Sequence, residues 1–126
     1  MNARDRVKFV GSVVQSQLPL FYSAADVCAI PSFYESFGMV ALESLACGTP
    51  VVANNVGGMK NIIRNHEMGR IIGGNSPQSL AGEISELIRL PENEAHIKTR
   101  RNAIAEFSWA AIADKIIDEY YGLIND

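Results

Sequence analysis

Three stretches decide the fold: Asp26-Val-Cys-Ala-Ile-Pro-Ser32, Gly38-Met-Val-Ala-Leu-Glu-Ser-Leu-Ala-Cys47 and Thr49-Pro-Val-Val-Ala-Asn54. The first and third are short apolar runs, the length of buried strands. The middle stretch is long enough only for a helix. Gly48 stands where a left-handed residue closes a helix, and Pro50 prevents its continuation. Strand, helix, strand at this spacing is a parallel crossover, which buries both faces of a sheet.

The same alternation continues in both directions. Upstream, Val7-Lys-Phe-Val-Gly11 reads as a strand, and Gln17 to Ala25 as a short helix with Leu18, Phe21 and Tyr22 on one side. Downstream, Gly57-Gly58 opens a helix that runs through Ile62-Ile63, and Gly69-Arg-Ile-Ile-Gly73 is a shorter strand. The period then changes. Ser76-Pro77 sets a helix start, with the proline in the first turn, and Leu80, Ile84, Leu87 and Ile88 form one stripe before Pro91 ends it. Residues 92–107 and 109–124 read as two more helices, the last with Ile112, Ile116 and Tyr120 on one face. The class is α/β: strand–helix units around a mostly parallel sheet, followed by a helical tail.

Composition narrows the function. A chain of 126 residues is one domain, 1–126, with 48% hydrophobic and 20% charged residues, an ordinary globular mixture. The net charge of −3 and a single adjacent basic pair, Arg100-Arg101, argue against a nucleic-acid partner. No apolar run approaches the ~20 residues of a membrane span, and Met1-Asn-Ala-Arg-Asp-Arg6 has no secretory pattern. Cys28 and Cys47 lie in apolar segments and fit neither a disulfide scaffold nor a metal site, so a cytoplasmic location is expected. His66 and His96 are thirty residues apart without ligand spacing, and Ser36 has no His/Asp arrangement to activate it.

From Val27 to Met59 only two residues are charged, Glu35 and Glu43. Glu35 lies in the loop Pro31-Ser-Phe-Tyr-Glu-Ser-Phe-Gly38, and Glu43 lies within the helix that follows. A carboxylate on an apolar helix face is costly unless something hydrogen-bonds it. In open parallel sheets, ligands bind outside the carboxyl ends of the strands, where Glu35 and the amides of Phe37, Gly38 and Met39 belong. Free N–H groups at a helix start favour an anion, typically a phosphate. Two carboxylates beside such a site suit vicinal hydroxyls, one sugar and one ribose. On spacing alone Glu35 equally suits a solvated loop residue, and Glu43 a partner for a distant Lys or Arg.

Pro31-Ser32-x-x-Glu35-x-Phe37-Gly38-x-x-x-x-Glu43, followed by Ala46-x-Gly48-x-Pro50-Val-Val and Val56-Gly-Gly58, resembles the donor-side signature of retaining GT-B glycosyltransferases. The nearest group is the large glycosyltransferase family 4, the glycosyl transferases group 1. The resemblance covers about residues 7–90. It implies a Rossmann-like GT-B C-terminal half, a partial nucleotide-sugar-binding domain whose acceptor domain and first strands lie outside these residues. It implies transfer of a hexose from a nucleotide diphosphate sugar, such as UDP-glucose or GDP-mannose, to a hydroxyl acceptor, with no divalent metal or other cofactor.

By the same resemblance, Glu35 is the catalytic carboxylate and holds hydroxyls of the donor sugar. Ser36 and the amides of Phe37, Gly38, Met39 and Val40 line the sugar and diphosphate. Glu43 takes the ribose 2′- and 3′-hydroxyls. The loop Gly11-Ser-Val-Val14 meets the base, largely through the backbone of Val13. One departure stands out: Lys60-Asn61 replaces the small residue and glutamate usual after Gly-Gly-x. A non-catalytic nucleotide-sugar-binding module, a structural half-sheet, and a GT-B epimerase or phosphorylase are the alternatives.

Topology adds an expectation. In the sheet order 3-2-1-4-5-6, Val7–Gly11 is strand 3 and Asp26–Ser32 strand 4, with two absent strands between them. Closing that gap by direct pairing leaves one sheet face bare, and the isolated chain is expected to self-associate.

Overall fold

The computed structural model describes residues 3–124. Three parallel strands form the sheet, β1 (Cys28–Ile30), β2 (Val51–Asn54) and β3 (Gly69–Ile72), in the order β1-β2-β3. Cys28 stands beside Val51, and Val51 beside Gly69, so the strands start level with one another. Around them lie α1 (Leu18–Ala24), α2 (Met39–Ala46), α3 (Met59–Ile62), α4 (Pro77–Arg89), α5 (Glu94–Ala103) and α6 (Trp109–Ile124).

The central strand β2 is buried along its whole length, apolar from Val51 to Ala53 and closed by the polar Asn54. Its alternating side chains feed two cores. Val51 and Ala53 pack with Ile30, Leu42, Leu45, Met59, Ile62 and Met68 on the α2 side. Val52 packs with Ile72, Leu80, Ile84 and Leu87 on the α4 side. α2 buries Ala41, Leu42 and Leu45 at helical spacing, each leucine contributing roughly 1.5–3 kcal/mol. Gly48 has φ +90° and closes α2 as the sequence predicts. Ser76 caps α4 by accepting from the Ser79 amide at 3.0 Å.

α5 docks through one buried charge. Arg100, 5% exposed, donates to the carbonyls of Glu67 and Gly48 at 2.6 and 2.7 Å and to Glu92 at 2.7 Å. Arg101 adds a bond to the Cys47 carbonyl. Two guanidinium groups thus meet the carbonyl end of α2, where the helix dipole favours cations.

Several expectations are corrected. Val7–Gly11 is not a strand: it has no regular structure, and Phe9 is 94% exposed. The expected order puts two strands between this segment and β1, and without a neighbouring strand an apolar alternation has no ladder to join. The gap is therefore not closed by direct pairing. Nor is one sheet face bare, because α4 covers β2 and β3 on the side opposite α2; only Ala29 of β1 stays exposed there. The helix read over 92–107 ends at Ala103 and continues as a separate 3-10 turn, Ala105–Phe107. Ile88 and the α6 residues Ile116 and Tyr120, read as apolar stripes, are exposed.

Candidate functional site

The site residues gather at the carboxyl end of the sheet. β1 ends at Ile30, and the chain runs through Pro31-Ser-Phe-Tyr-Glu-Ser-Phe37 into α2. Gly38 makes the entry with φ +97°, a left-handed conformation that a side chain resists, and a Cβ there would strike Ile62 at 2.8 Å. Glu35 is half-buried and turned inward, its Oε1 accepting from the Gly38 amide at 3.2 Å.

Of the four amides expected to line a ligand, Gly38 is thus spent on Glu35. Those of Phe37, Met39 and Val40 have no acceptor among the described residues. A helix start leaves such groups without internal partners, and their dipoles add to that of α2. Met39 and Val40 are exposed, so an anion has access to them. Tyr34 and Phe33 project into solvent, as does Ser36.

Glu43, one helical turn beyond Met39, is half-buried and accepts from the Tyr22 hydroxyl at 2.9 Å. The partner of this carboxylate is therefore neither Lys nor Arg. Burial, and then the hydrogen bond and charge of Glu43, push the Tyr22 phenol well above its ordinary pKa. The Thr49 hydroxyl donates to the Tyr22 carbonyl at 2.6 Å, so Tyr22 ties α1 both to α2 and to the turn before β2. Glu43 keeps Oε1 for another donor. Val13 is half-buried in the irregular stretch before α1, and no hydrogen bond joins it to the other site residues among those described.

The loop after β2 supports the loop after β1. A Cβ on Gly57 would lie 1.7 Å from the Glu35 carbonyl oxygen, and one on Gly58 3.0 Å from that of Phe37. Only glycine allows the two backbones to lie this close. Phe37 is also held from the side by Phe107, edge to face at 6.1 Å, and Arg64 covers the Phe107 ring while pairing with Glu106. Tyr22, Asn54, Arg64 and Phe107 were not singled out by the sequence as site residues. The one signal was for Asn54, a polar residue closing an otherwise apolar buried strand.

A cavity of about 550 Å³ lies at the opposite end, among Asp26, Pro50, Glu67 and Arg100 ahead of the three strands. It contains none of the expected site residues. The carboxyl end suits a ligand better, because the free amides, the helix dipole and both carboxylates converge there. Among the described residues no cluster of His, Cys, Asp or Glu is arranged to hold a metal, and no helix is long and apolar enough to cross a membrane. Burial pushes the Cys28 thiol up, which suits packing rather than reaction.

A parallel Rossmann-like α/β sheet with an acidic, amide-lined carboxyl end defines a class of ligand-binding domains. Within that class the chain belongs to the glycosyl transferases group 1 family, which it matches over residues 1–106. It is 39% identical over 125 residues to D-inositol 3-phosphate glycosyltransferase 2 of Catenulispora acidiphila, covering 97% of this chain and 29% of that protein. The D-inositol 3-phosphate glycosyltransferase of Rhodococcus erythropolis is 38% identical over 116 residues, covering 91% of this chain and 26% of its own. Sucrose-phosphate synthase from Thermosynechococcus elongatus superposes with TM-score 0.83 at 39% identity, over 96% of this chain and 31% of the synthase. The chain thus spans less than a third of each of these relatives. The resemblance to glycosyl transferases group 1 and to a partial C-terminal GT-B domain is borne out.

Proposed function

We propose that the chain is the donor-binding part of a retaining glycosyltransferase that moves a hexose from a nucleotide diphosphate sugar to a hydroxyl acceptor. One observation carries the reading: the free amides of Met39 and Val40 stand between two carboxylates at the carboxyl end of a parallel sheet. In this reading the diphosphate lies on those amides, and the dipole of α2 meets its charge without a metal ion. Glu43, steadied by Tyr22, takes the ribose hydroxyls. Glu35 takes hydroxyls of the sugar and is the catalytic carboxylate, while Ser36 and Phe37 line the same wall and the Val13 backbone meets the base. Residues 1–126 form one domain of a cytoplasmic protein in this reading, and the acceptor is bound by residues outside them.

The test is calorimetric titration of the chain with UDP-glucose, UDP-N-acetylglucosamine and GDP-mannose, each beside its free nucleotide. Saturable binding of one nucleotide sugar, lost with Glu43→Ala, is expected. Failure of all three to bind, with the chain folded, would overturn the reading.

A further inference from the structure

Asn54 closes β2, 1% exposed, directly beneath the loop that carries Glu35. Its Nδ2 donates to the Ser32 carbonyl at 2.9 Å, and its Oδ1, also buried, accepts no hydrogen bond among the described residues. A buried acceptor left unused is unfavourable, and an apolar residue of the same size would avoid that cost. Of the two polar atoms of the side chain, only the donor is used.

What the asparagine supplies is a direction. The segment Asn54–Gly58 meets the Glu35 loop at three successive points: Asn54 at the Ser32 carbonyl, Gly57 at the Glu35 carbonyl and Gly58 at the Phe37 carbonyl. The two glycines only permit close approach. The Asn54 amide is the one donor among the three, so it alone fixes the loop along its own bond rather than merely limiting how near it lies. Glu35 then turns inward and accepts from Gly38, which sets the height of the carboxylate above the free amides of Met39 and Val40.

We infer that Asn54 is a positioning residue: through the Ser32 carbonyl it sets the place of the Glu35 carboxylate at the start of α2. This deepens the reading of the site as a nucleotide-sugar site, and it also makes a statement about the chain without ligand.

The experiment compares the wild type with Asn54→Leu and Asn54→Asp by amide hydrogen exchange and thermal unfolding. Asn54→Leu removes the donor and the unused acceptor together while keeping the volume. Asn54→Asp keeps the shape but replaces the donor with oxygen. In Asn54→Leu the Gly38 amide should exchange about tenfold faster or more, while Val52 and Ala53 of β2 stay protected. In Asn54→Asp the Gly38 amide should accelerate in the same way. Unchanged Gly38 exchange in a folded Asn54→Leu would overturn the proposal. So would a uniform loss of protection across β2 and the loop in both variants, since that marks a purely structural residue. A parallel titration with UDP-glucose and UDP separates the two ideas: Asn54→Leu should weaken the nucleotide sugar and spare UDP. A wild type that binds neither counts against the proposed function, while the exchange result decides the role of Asn54.

Discussion

The Tyr22 hydroxyl donates at 2.9 Å to Oε2 of Glu43, joining the first helix to the apolar helix that follows β1. It answers the difficulty set by a carboxylate in the run from Val27 to Met59, which contains no cation. The phenol occupies Oε2 and leaves Oε1 open to a second donor.

Tyr22→Phe therefore removes about 1 kcal/mol of stability near pH 7. The contribution is pH-dependent. Burial and the neighbouring Glu43 raise the Tyr22 pKa above its ordinary value of 10.0, so the folded state favours the neutral phenol. That contribution is fully present below about pH 10 and is lost as the pH rises toward the raised value. Melting curves of both proteins from pH 7 to 11 should show the gap between them narrowing above pH 10. A gap that stays constant to pH 11 would contradict the coupling.

Glu43→Ala tests the other oxygen. Hydrogen bonds to a charged group are worth roughly 1.5–3 kcal/mol, so loss of a ribose contact should weaken nucleoside diphosphate and nucleotide sugar alike by about tenfold or more. Glu43→Gln retains an acceptor for Tyr22 and should lose less. Titration calorimetry with UDP and GDP decides, and undiminished nucleotide binding by Glu43→Ala would remove Glu43 from the ribose.

Local pattern in the sequence reaches as far as the elements: the three observed strands, the cap at Ser76 and the left-handed Gly48 all follow from neighbours a few residues apart. The motif from Pro31 to Gly58 also points to the candidate site, yet it does not explain its own glycines. That explanation is a contact between Gly57 and the Glu35 carbonyl, visible only once two loops are side by side. Tyr22 and Glu43 are twenty-one positions apart, and Arg100 reaches Gly48 across fifty-two. No periodicity encodes such pairs. Val7–Gly11 fails for the converse reason: its local pattern is that of a strand, but strand formation depends on a neighbour.

Glu35→Ala separates the sugar from the nucleotide. If this carboxylate holds sugar hydroxyls, free UDP or GDP should bind within about threefold of the wild type, whereas the nucleotide sugar should lose about tenfold. Equal losses for both ligands would mean that the variant acts through the freed Gly38 amide and the start of α2 rather than through the sugar.

Gly57→Ala should be among the most damaging single changes at the site. The added carbon has φ +52° to contend with and the Glu35 carbonyl oxygen 1.7 Å away, so the loops must separate. Left-handed strain alone costs about 1–3 kcal/mol, and the displaced backbone adds to it. Differential scanning calorimetry should show a clearly lowered melting temperature. Gly73→Ala is the control, because a Cβ at Gly73 meets nothing within 4 Å. Equal stability of the two variants would refute the close approach of the loops.

The sheet also predicts how the chain behaves in solution by itself. β1 bonds to β2 on one side only, which leaves a row of backbone donors and acceptors on its other edge. Phe9, in the irregular stretch before α1, is exposed, and α6 exposes Trp109, Tyr120 and Leu123. Both features favour association, through strand addition at the edge or burial of the helix face. Sedimentation equilibrium at micromolar concentration should therefore find species larger than one chain. Ala29→Lys puts a charge on the exposed position of β1, and Leu123→Glu puts one on α6. The variant that restores the monomer identifies the surface used. A wild-type chain that stays monomeric and folded across that range would show that neither surface drives association.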